Sequence, residues 1–225
     1  MKTDTYILNL ETSTKNCSVA ISKNGVMIAL KEVNEGNYAH AELLNPFIEA
    51  VLIESKISFP HLSAVAISKG PGSYTGLRIG VSTAKGICFA LNIPLISLET
   101  LLILAHQIEN PNGIIIPMLD ARRMEVYMAL FDAEFKKIKP TQAVIVEEGA
   151  FEELLKDQKV YFVGDGVEKC KHIMQHQNAI LDTNTFPSAR EMCKLSFNKF
   201  LMEDFEDVAY FEPYYLKDFI ALKKQ

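Results

Sequence analysis

Tyr6-Ile7-Leu8-Asn9-Leu10-Glu11, then Thr12-Ser13-Thr14 and Cys17-Ser18-Val19-Ala20-Ile21, is the stretch that decides the fold. An apolar run ending on an acid, a turn of hydroxyl residues and a second apolar run read as two antiparallel strands. Asn24-Gly25, a strong two-residue hairpin signal, leads into a third strand at Val26–Val33. The same plan returns about 110 residues later: residues 114–119 end in Asp120, residues 125–131 form a second strand, and Asp132-Ala133 turns into residues 135–138. Repetition at that distance points to two related lobes. Asn110-Pro111-Asn112-Gly113 is the linker, dividing the chain into 1–109 and 110–225, with the last helix or the tail returning to the first lobe.

Between the two hairpins, strands and helices alternate. Leu43, Leu44, Phe47, Ile48 and Val51 share one helical face opposite Asn45, Glu49 and Lys56. Pro46 inside this stretch implies a kink, or a helix that starts at Asn45. A strand over 64–68, the turn Gly70-Pro71-Gly72, a helix from near Thr75 to Leu91, a strand over 94–98 and an apolar helix to about His106 complete the order β-β-β-α-β-α-β. In the second half, residues 160–163 form a strand closed by Gly164-Asp165-Gly166, residues 187–202 a helix, and residues 210–219 an aromatic-rich tail.

Composition narrows the function. With 48% hydrophobic residues, 11 Gly and 9 Pro among 225 residues, the chain is neither disordered nor collagen-like. Its 23 Lys+Arg against 28 Asp+Glu leave a net charge of −5, a poor basis for holding nucleic acid unaided. Lys136-Lys137-Ile138-Lys139 and Lys223-Lys224 are short runs and read as solvated faces. The longest apolar region, 94–105, is broken by Glu99 and Thr100 and falls short of a membrane span, and the first residues carry no signal-peptide pattern. Cys17, Cys88, Cys170 and Cys193 form no C-x-x-C pair, so neither a disulfide framework nor a zinc site is expected; the compartment is cytoplasmic.

Several residues admit two readings. In two-lobed sugar-kinase-like ATPases, an acid and small hydroxyls at the first hairpin face the nucleotide phosphates and a magnesium ion. Glu11, Thr12 and Ser13 are of that kind, or else close a strand at the surface. The string from Gly70 to Gly80 aims backbone N–H groups at an anion through Gly70, Gly72 and Ser73, or makes a tight strand-to-helix corner. It is no P-loop, since Leu77 follows Gly76. His40 has leucines at positions 43 and 44, which favours a solvated or capping histidine over a metal ligand. His172 and His176 stand four residues apart on an expected exposed helix with no third ligand. On the helix ending at Leu91, residues 77, 81, 84, 88 and 91 form an apolar face, Arg78, Lys85 and Asn92 a polar stripe, and Ile79, Ser82, Thr83, Gly86 and Ala90 a face of mostly small residues. That third face packs on a neighbouring helix within the chain or, with Phe47, docks a partner.

Residues 7–14, Cys17-Ser18-Val19-Ala20, His40-Ala41-Glu42-Leu43-Leu44, the string 70–80, Leu119-Asp120-Ala121-Arg122-Arg123-Met124-Glu125-Val126-Tyr127, Gly164-Asp165-Gly166 and Pro213-Tyr214-Tyr215-Leu216 together resemble the bacterial TsaB (YeaZ) family along nearly the whole chain. The resemblance implies an α/β fold of two actin-like (ASKHA, ribonuclease-H-like) lobes with mixed sheets flanked by helices. It implies a non-catalytic subunit in making threonylcarbamoyladenosine on tRNAs that read codons beginning with A. Its partners would be a TsaD-type catalytic paralogue and a TsaE-type ATPase, with ATP, magnesium and the threonylcarbamoyl-adenylate on those partners. It further implies tRNA contact only through the complex and a homodimer when the partner is missing.

The departures bear on the role. The paralogue's H-x-x-x-H metal motif follows a Pro-Leu-Ile-like segment. In the register of Pro94-Leu95-Ile96, Thr100 and Leu104 take the places of its histidines. Neither is an imidazole, so no metal site and no catalytic residue are expected. Glu11 and the Gly70 turn are then inherited phosphate-binding architecture with little or no nucleotide. The rival class is an enzyme acting alone, an actin-like ATPase or kinase or a metallopeptidase.

Overall fold

Asn24 and Gly25 adopt φ of 52° and 81°, the left-handed pair that a two-residue hairpin needs and that these residue types supply at little cost. They join β2 (Cys17–Lys23) to β3 (Val26–Val33) in the computed structural model, which describes residues 4–34 and 39–217. β1 (Tyr6–Glu11) pairs antiparallel with β2. On its other side β4 (Leu62–Ser68) and β5 (Leu95–Leu98) add in parallel, giving the order β3-β2-β1-β4-β5. Parallel neighbours need crossovers. Here these are α1 (His40–Glu54) and α2 (Tyr74–Leu91), and α3 (Thr100–Ala105) follows β5.

The second lobe repeats this plan. β6 (Gly113–Asp120), β7 (Glu125–Phe131) and β8 (Lys137–Ile145) are antiparallel, then α4 (Glu152–Asp157) leads to β9 (Lys159–Val163) and finally to β10 (Ala179–Asp182). The order β8-β7-β6-β9-β10 mirrors the first sheet strand for strand. The crossover from β9 to β10 differs, because a single 3-10 turn at Lys171–Ile173 stands where the first lobe has α2.

Helices cover both faces of the first sheet. Leu44, Ile48 and Val51 of α1 and Val81, Ala84 and Cys88 of α2 pack on Leu8, Leu10, Val19 and Ile67. On the opposite face Met192 and Cys193 of α5 (Ala189–Leu201) meet Ile7, Ala20, Ala64 and Ala66. The last helix therefore rests on the first sheet although it follows the second in sequence. The chain beyond it runs along β5, where the Glu206 N–H donates to the Leu95 carbonyl at 2.8 Å.

The order β-β-β-α-β-α-β stands as expected, with four differences. Helix α1 starts at His40, not Asn45, and Pro46 lies inside it. The proline removes one backbone hydrogen bond, and the buried Leu44, Ile48 and Val51 offset that loss. The strand expected to stop at Ile138 runs to Ile145: its polar sequence shows no alternation, and Pro140 is tolerated because β8 is an edge strand. The expected helix under His172 and His176 is the 3-10 turn, with His176 beyond it; both side chains are exposed. The short α4 and β10, of six and four residues, were not expected from the sequence. Phe219, Lys223 and Lys224 lie outside the described residues.

A Cβ on Gly76 would run into the Thr12 carbonyl oxygen, whereas one on Gly86 of the same helix would meet nothing within 4 Å. Gly76→Ala should therefore destabilise the protein by about 3 kcal/mol, because backbone cannot give way as a side chain can. Gly86→Ala should stabilise it by about 0.5–1 kcal/mol through helix propensity. Urea unfolding of both variants checks this pair.

Candidate functional site

Glu11 ends β1 fully buried, its Oε1 accepting from the Ser13 N–H at 2.6 Å. Burial pushes the carboxyl above the ordinary glutamate range, against the pull of neighbouring Ser13 and Ser68. Those hydroxyls come near without completing a hydrogen bond: Glu11 Oε2, Ser13 Oγ and Ser68 Oγ are buried and unpaired. The glycine turn closes over this spot. The Ser73 N–H donates to the Ser13 carbonyl at 2.6 Å, and Thr12 Oγ1 donates to the Gly76 carbonyl at 2.8 Å. A Cβ at Gly72, Gly76 or Gly80 would strike Thr12 or Ser13. Ser73 caps α2 itself, its Oγ accepting from the Gly76 N–H at 3.3 Å. Thus Glu11, Thr12, Ser13, Gly70, Gly72 and Ser73 are gathered as the sequence suggests, in a closed joint: Thr12 and Ser13 are buried and the helix backbone lies against them. His40 is part of the joint and not solvated; at 2% exposure its Nε2 lies 2.7 Å from the Thr14 carbonyl.

Thr100 and Leu104 have their own work here. Thr100 Oγ1 accepts from the Gly70 N–H at 3.1 Å while the Thr100 N–H donates to the Gly70 carbonyl at 3.2 Å. Leu104 presses on Gly164, the equivalent glycine at the end of β9. Both glycines have positive φ, 111° and 117°. Leu101, Leu104 and Ala105 pack on the second sheet and Ile103 on the first. Helix α3 is thus a buried wedge between the lobes, and sequence inspection alone showed only that it is apolar.

The second hairpin carries Asp120 where the first has Glu11. Lys169 occupies it, with Nζ 2.6 Å from Asp120 Oδ1 and 3.0 and 2.8 Å from the Arg123 and Glu125 carbonyls. Burial raises the Asp165 carboxyl, whose Oδ1 accepts from the Asp120 N–H at 3.0 Å. A cleft of about 330 Å³ opens where β3, Gln107 and the start of α5 meet. Glu32 fills its helix end, accepting from Ser188 Oγ at 2.6 Å. Gln107 donates to Glu191 Oε2 at 2.8 Å and to the Phe186 carbonyl at 3.1 Å.

On α2 the apolar face is buried at Leu77, Val81, Ala84 and Cys88, with Leu91 half-buried at its end. Lys85 does not join a solvated stripe, because its Nζ donates to the carbonyls of Ala209 and Phe211 at 3.1 and 2.9 Å. Ile79 and Thr83 are half-buried, and Ile79 and Phe47 border the core shared by α1 and α2. Ser82, Gly86 and Ala90 are exposed. Phe89, 84% exposed on the same face, was missed; its place seven residues after Ser82 would have revealed it.

The family model of TsaD, tRNA N6-adenosine threonylcarbamoyltransferase, matches residues 34–225. The chain is similar to the tRNA threonylcarbamoyladenosine biosynthesis protein TsaB of Escherichia coli (strain K12), 29% identical over 226 residues covering 97% of each. It is 30% identical over 221 residues to the protein of that name from Buchnera aphidicola subsp. Baizongia pistaciae (strain Bp), covering 94% of this chain and 98% of the relative. The solved structure of YeaZ from Pseudomonas aeruginosa matches with a TM-score of 0.82 and 25% identity over 94% of this chain and all of that one. The fold is accordingly the two-lobed α/β fold of YeaZ, with two mixed sheets flanked by helices.

Thr100→Val should cost about 1–3 kcal/mol, since it leaves the buried Gly70 N–H without its acceptor; chemical denaturation measures it. Burial pushes Glu191 up to about 7 from 4.5. Within that window the folded chain holds a proton that the unfolded chain has released, so stability falls as pH rises through it. Glu191→Gln should remove that fall and raise stability above pH 7 by about 1–2 kcal/mol, discounted for its partial exposure. Unfolding midpoints across the window check the sign.

Proposed function

The chain belongs to the TsaB (YeaZ) family, and on that premise we propose that it is a non-catalytic subunit of the cytoplasmic machinery that makes threonylcarbamoyladenosine on tRNAs reading A-starting codons. End-to-end likeness to TsaB proteins carries this reading. In it, a TsaD-type subunit performs the transfer and a TsaE-type ATPase joins them. ATP, magnesium and the threonylcarbamoyl-adenylate stay with those partners, and tRNA is met in the complex. The work of Thr100 and Leu104 supports a packing role: where the paralogue has metal ligands, this chain has Thr100 holding the Gly70 turn and Leu104 seated on Gly164 of the second lobe. The joint at Glu11 and Gly70–Ser73 packs the first hairpin against the turn before α2 within the first lobe, in place of nucleotide binding.

The partner docks on α2. Ser82, Gly86 and Ala90 let a second helix come close, and Phe89 with Ile53 of α1, 77% exposed, supplies apolar area that the chain itself leaves uncovered. A second copy covers this face when the catalytic subunit is missing. The rival reading, an ATPase, kinase or peptidase acting alone, rests on the unpaired polar atoms around Glu11. Purified protein that turns over ATP, or holds about one zinc or iron per chain, would establish that rival.

Reconstitution with the catalytic subunit and ATPase should give modified tRNA only when this chain is added. Gly86→Glu, at a site with open space around it, should abolish co-elution and modification without lowering the unfolding temperature. Ile79→Arg should do the same at some cost in stability, being half-buried. Unchanged co-elution of Gly86→Glu places the interface elsewhere.

A further inference from the structure

Arg122 and Arg123 form the tip of the hairpin between β6 and β7, and both have left-handed backbone, with φ of 65° and 52°. The hairpin at Asn24 and Gly25 makes such a turn with residues suited to it. For arginine the conformation is disfavoured at each position. Nothing in the turn needs a long cation, since its hydrogen bonds use backbone groups and Asp120. Both side chains are exposed, and among the described residues neither guanidinium has an acidic partner. The local acids are already engaged, Asp120 by Lys169 and Glu125 by Lys217.

The C-terminal segment links this cationic tip to α2 as a band across both lobes, with the exposed Glu212 beside Tyr215 on it. Lys217 pairs with Glu125 and lies 6.0 Å from the Tyr127 ring centroid. Two residues earlier Tyr215 packs on Tyr74, centroids 5.1 Å apart, and the exposed Arg78 guanidinium lies 5.1 Å from the Tyr74 ring. On a chain of net charge −5, exposed arginines thus flank an aromatic pair.

We propose that this band is an RNA contact surface, with Arg122 and Arg123 on phosphodiester oxygens and the exposed Tyr215 ring, backed by Tyr74, receiving an unstacked base. Planar guanidinium groups match phosphate oxygens, and aromatic rings offer a face to any base. An acidic protein would use the cations but gain little from the rings. The inference rests on the tRNA reading above. Two phosphate contacts give weak binding alone and add affinity within an assembly that holds the same RNA elsewhere.

The test uses Arg122→Asn/Arg123→Gly, which suits the left-handed turn and should fold at least as well as the parent, together with Arg122→Glu/Arg123→Glu. In the reconstituted complex both should raise KM for unmodified tRNA transcript about tenfold at unchanged kcat, and lower the salt slope of binding by about 1.5–2. Unchanged KM and salt slope in an active complex overturn the band. Loss of co-elution with the catalytic subunit at unchanged tRNA affinity overturns it in favour of an acidic protein surface. Binding of the same transcript to the isolated chain at low salt separates this inference from the functional reading. If the parent chain supports no modification yet the Asn/Gly variant weakens that binding, the band stands and the functional reading falls; if binding is unaltered there, the band falls.

Discussion

Helix α3 is the constraint on which the rest of the structure depends. Six residues, all but Leu102 fully buried, separate two five-stranded sheets and touch both. Its first residue exchanges two hydrogen bonds with Gly70 at the end of the β4 turn, and its fifth presses on Gly164 at the end of β9. These glycines are equivalent in the two lobes, and both have the positive φ that releases a strand into the next segment without a Cβ clash. One short helix thereby sets the approach of the lobes and the exit of both turns. Replacing its residues with metal ligands would sacrifice contacts that the fold uses.

The two lobes share a plan and have diverged at the turns after their equivalent strands β4 and β9. In the first, α2 lies so close to the hairpin that Gly72, Gly76 and Gly80 meet Thr12 and Ser13 directly. The room between turn and hairpin is taken by packing. In the second, the helix equivalent to α2 is reduced to a 3-10 turn, and Lys169 reaches back to neutralise Asp120. One lobe has filled the cradle with backbone, the other with a lysine. The C-terminal segment then binds the lobes from outside, with Tyr214 N–H on the Lys69 carbonyl at 2.7 Å and Lys217 on Glu125.

Much of this was legible in the residues themselves. Asn24-Gly25 specified its hairpin through local backbone preference, and the apolar runs 6–10 and 17–21 specified the paired strands, because both signals act over a few residues. Strand β8 was not legible past Ile138, since an edge strand paired on one side needs little apolar alternation. His40 read as a solvated or capping histidine because leucines, not metal ligands, follow it, and only its approach to the Thr14 carbonyl showed it to be buried. Phe89 was overlooked for the opposite reason: its face was read as small residues, and exposure of an aromatic ring is a property of the assembled surface.

By itself the sequence determined the local elements, the duplication and the absence of histidines at positions 100 and 104, since turn chemistry, periodicity and residue type need no partner. Only the tertiary structure decided what stands at those positions and why. The reach of Thr100 to Gly70 spans 30 residues and the seat of Leu104 on Gly164 spans 60. Contacts between elements so far apart depend on how two sheets pack around one helix, which no window of sequence contains.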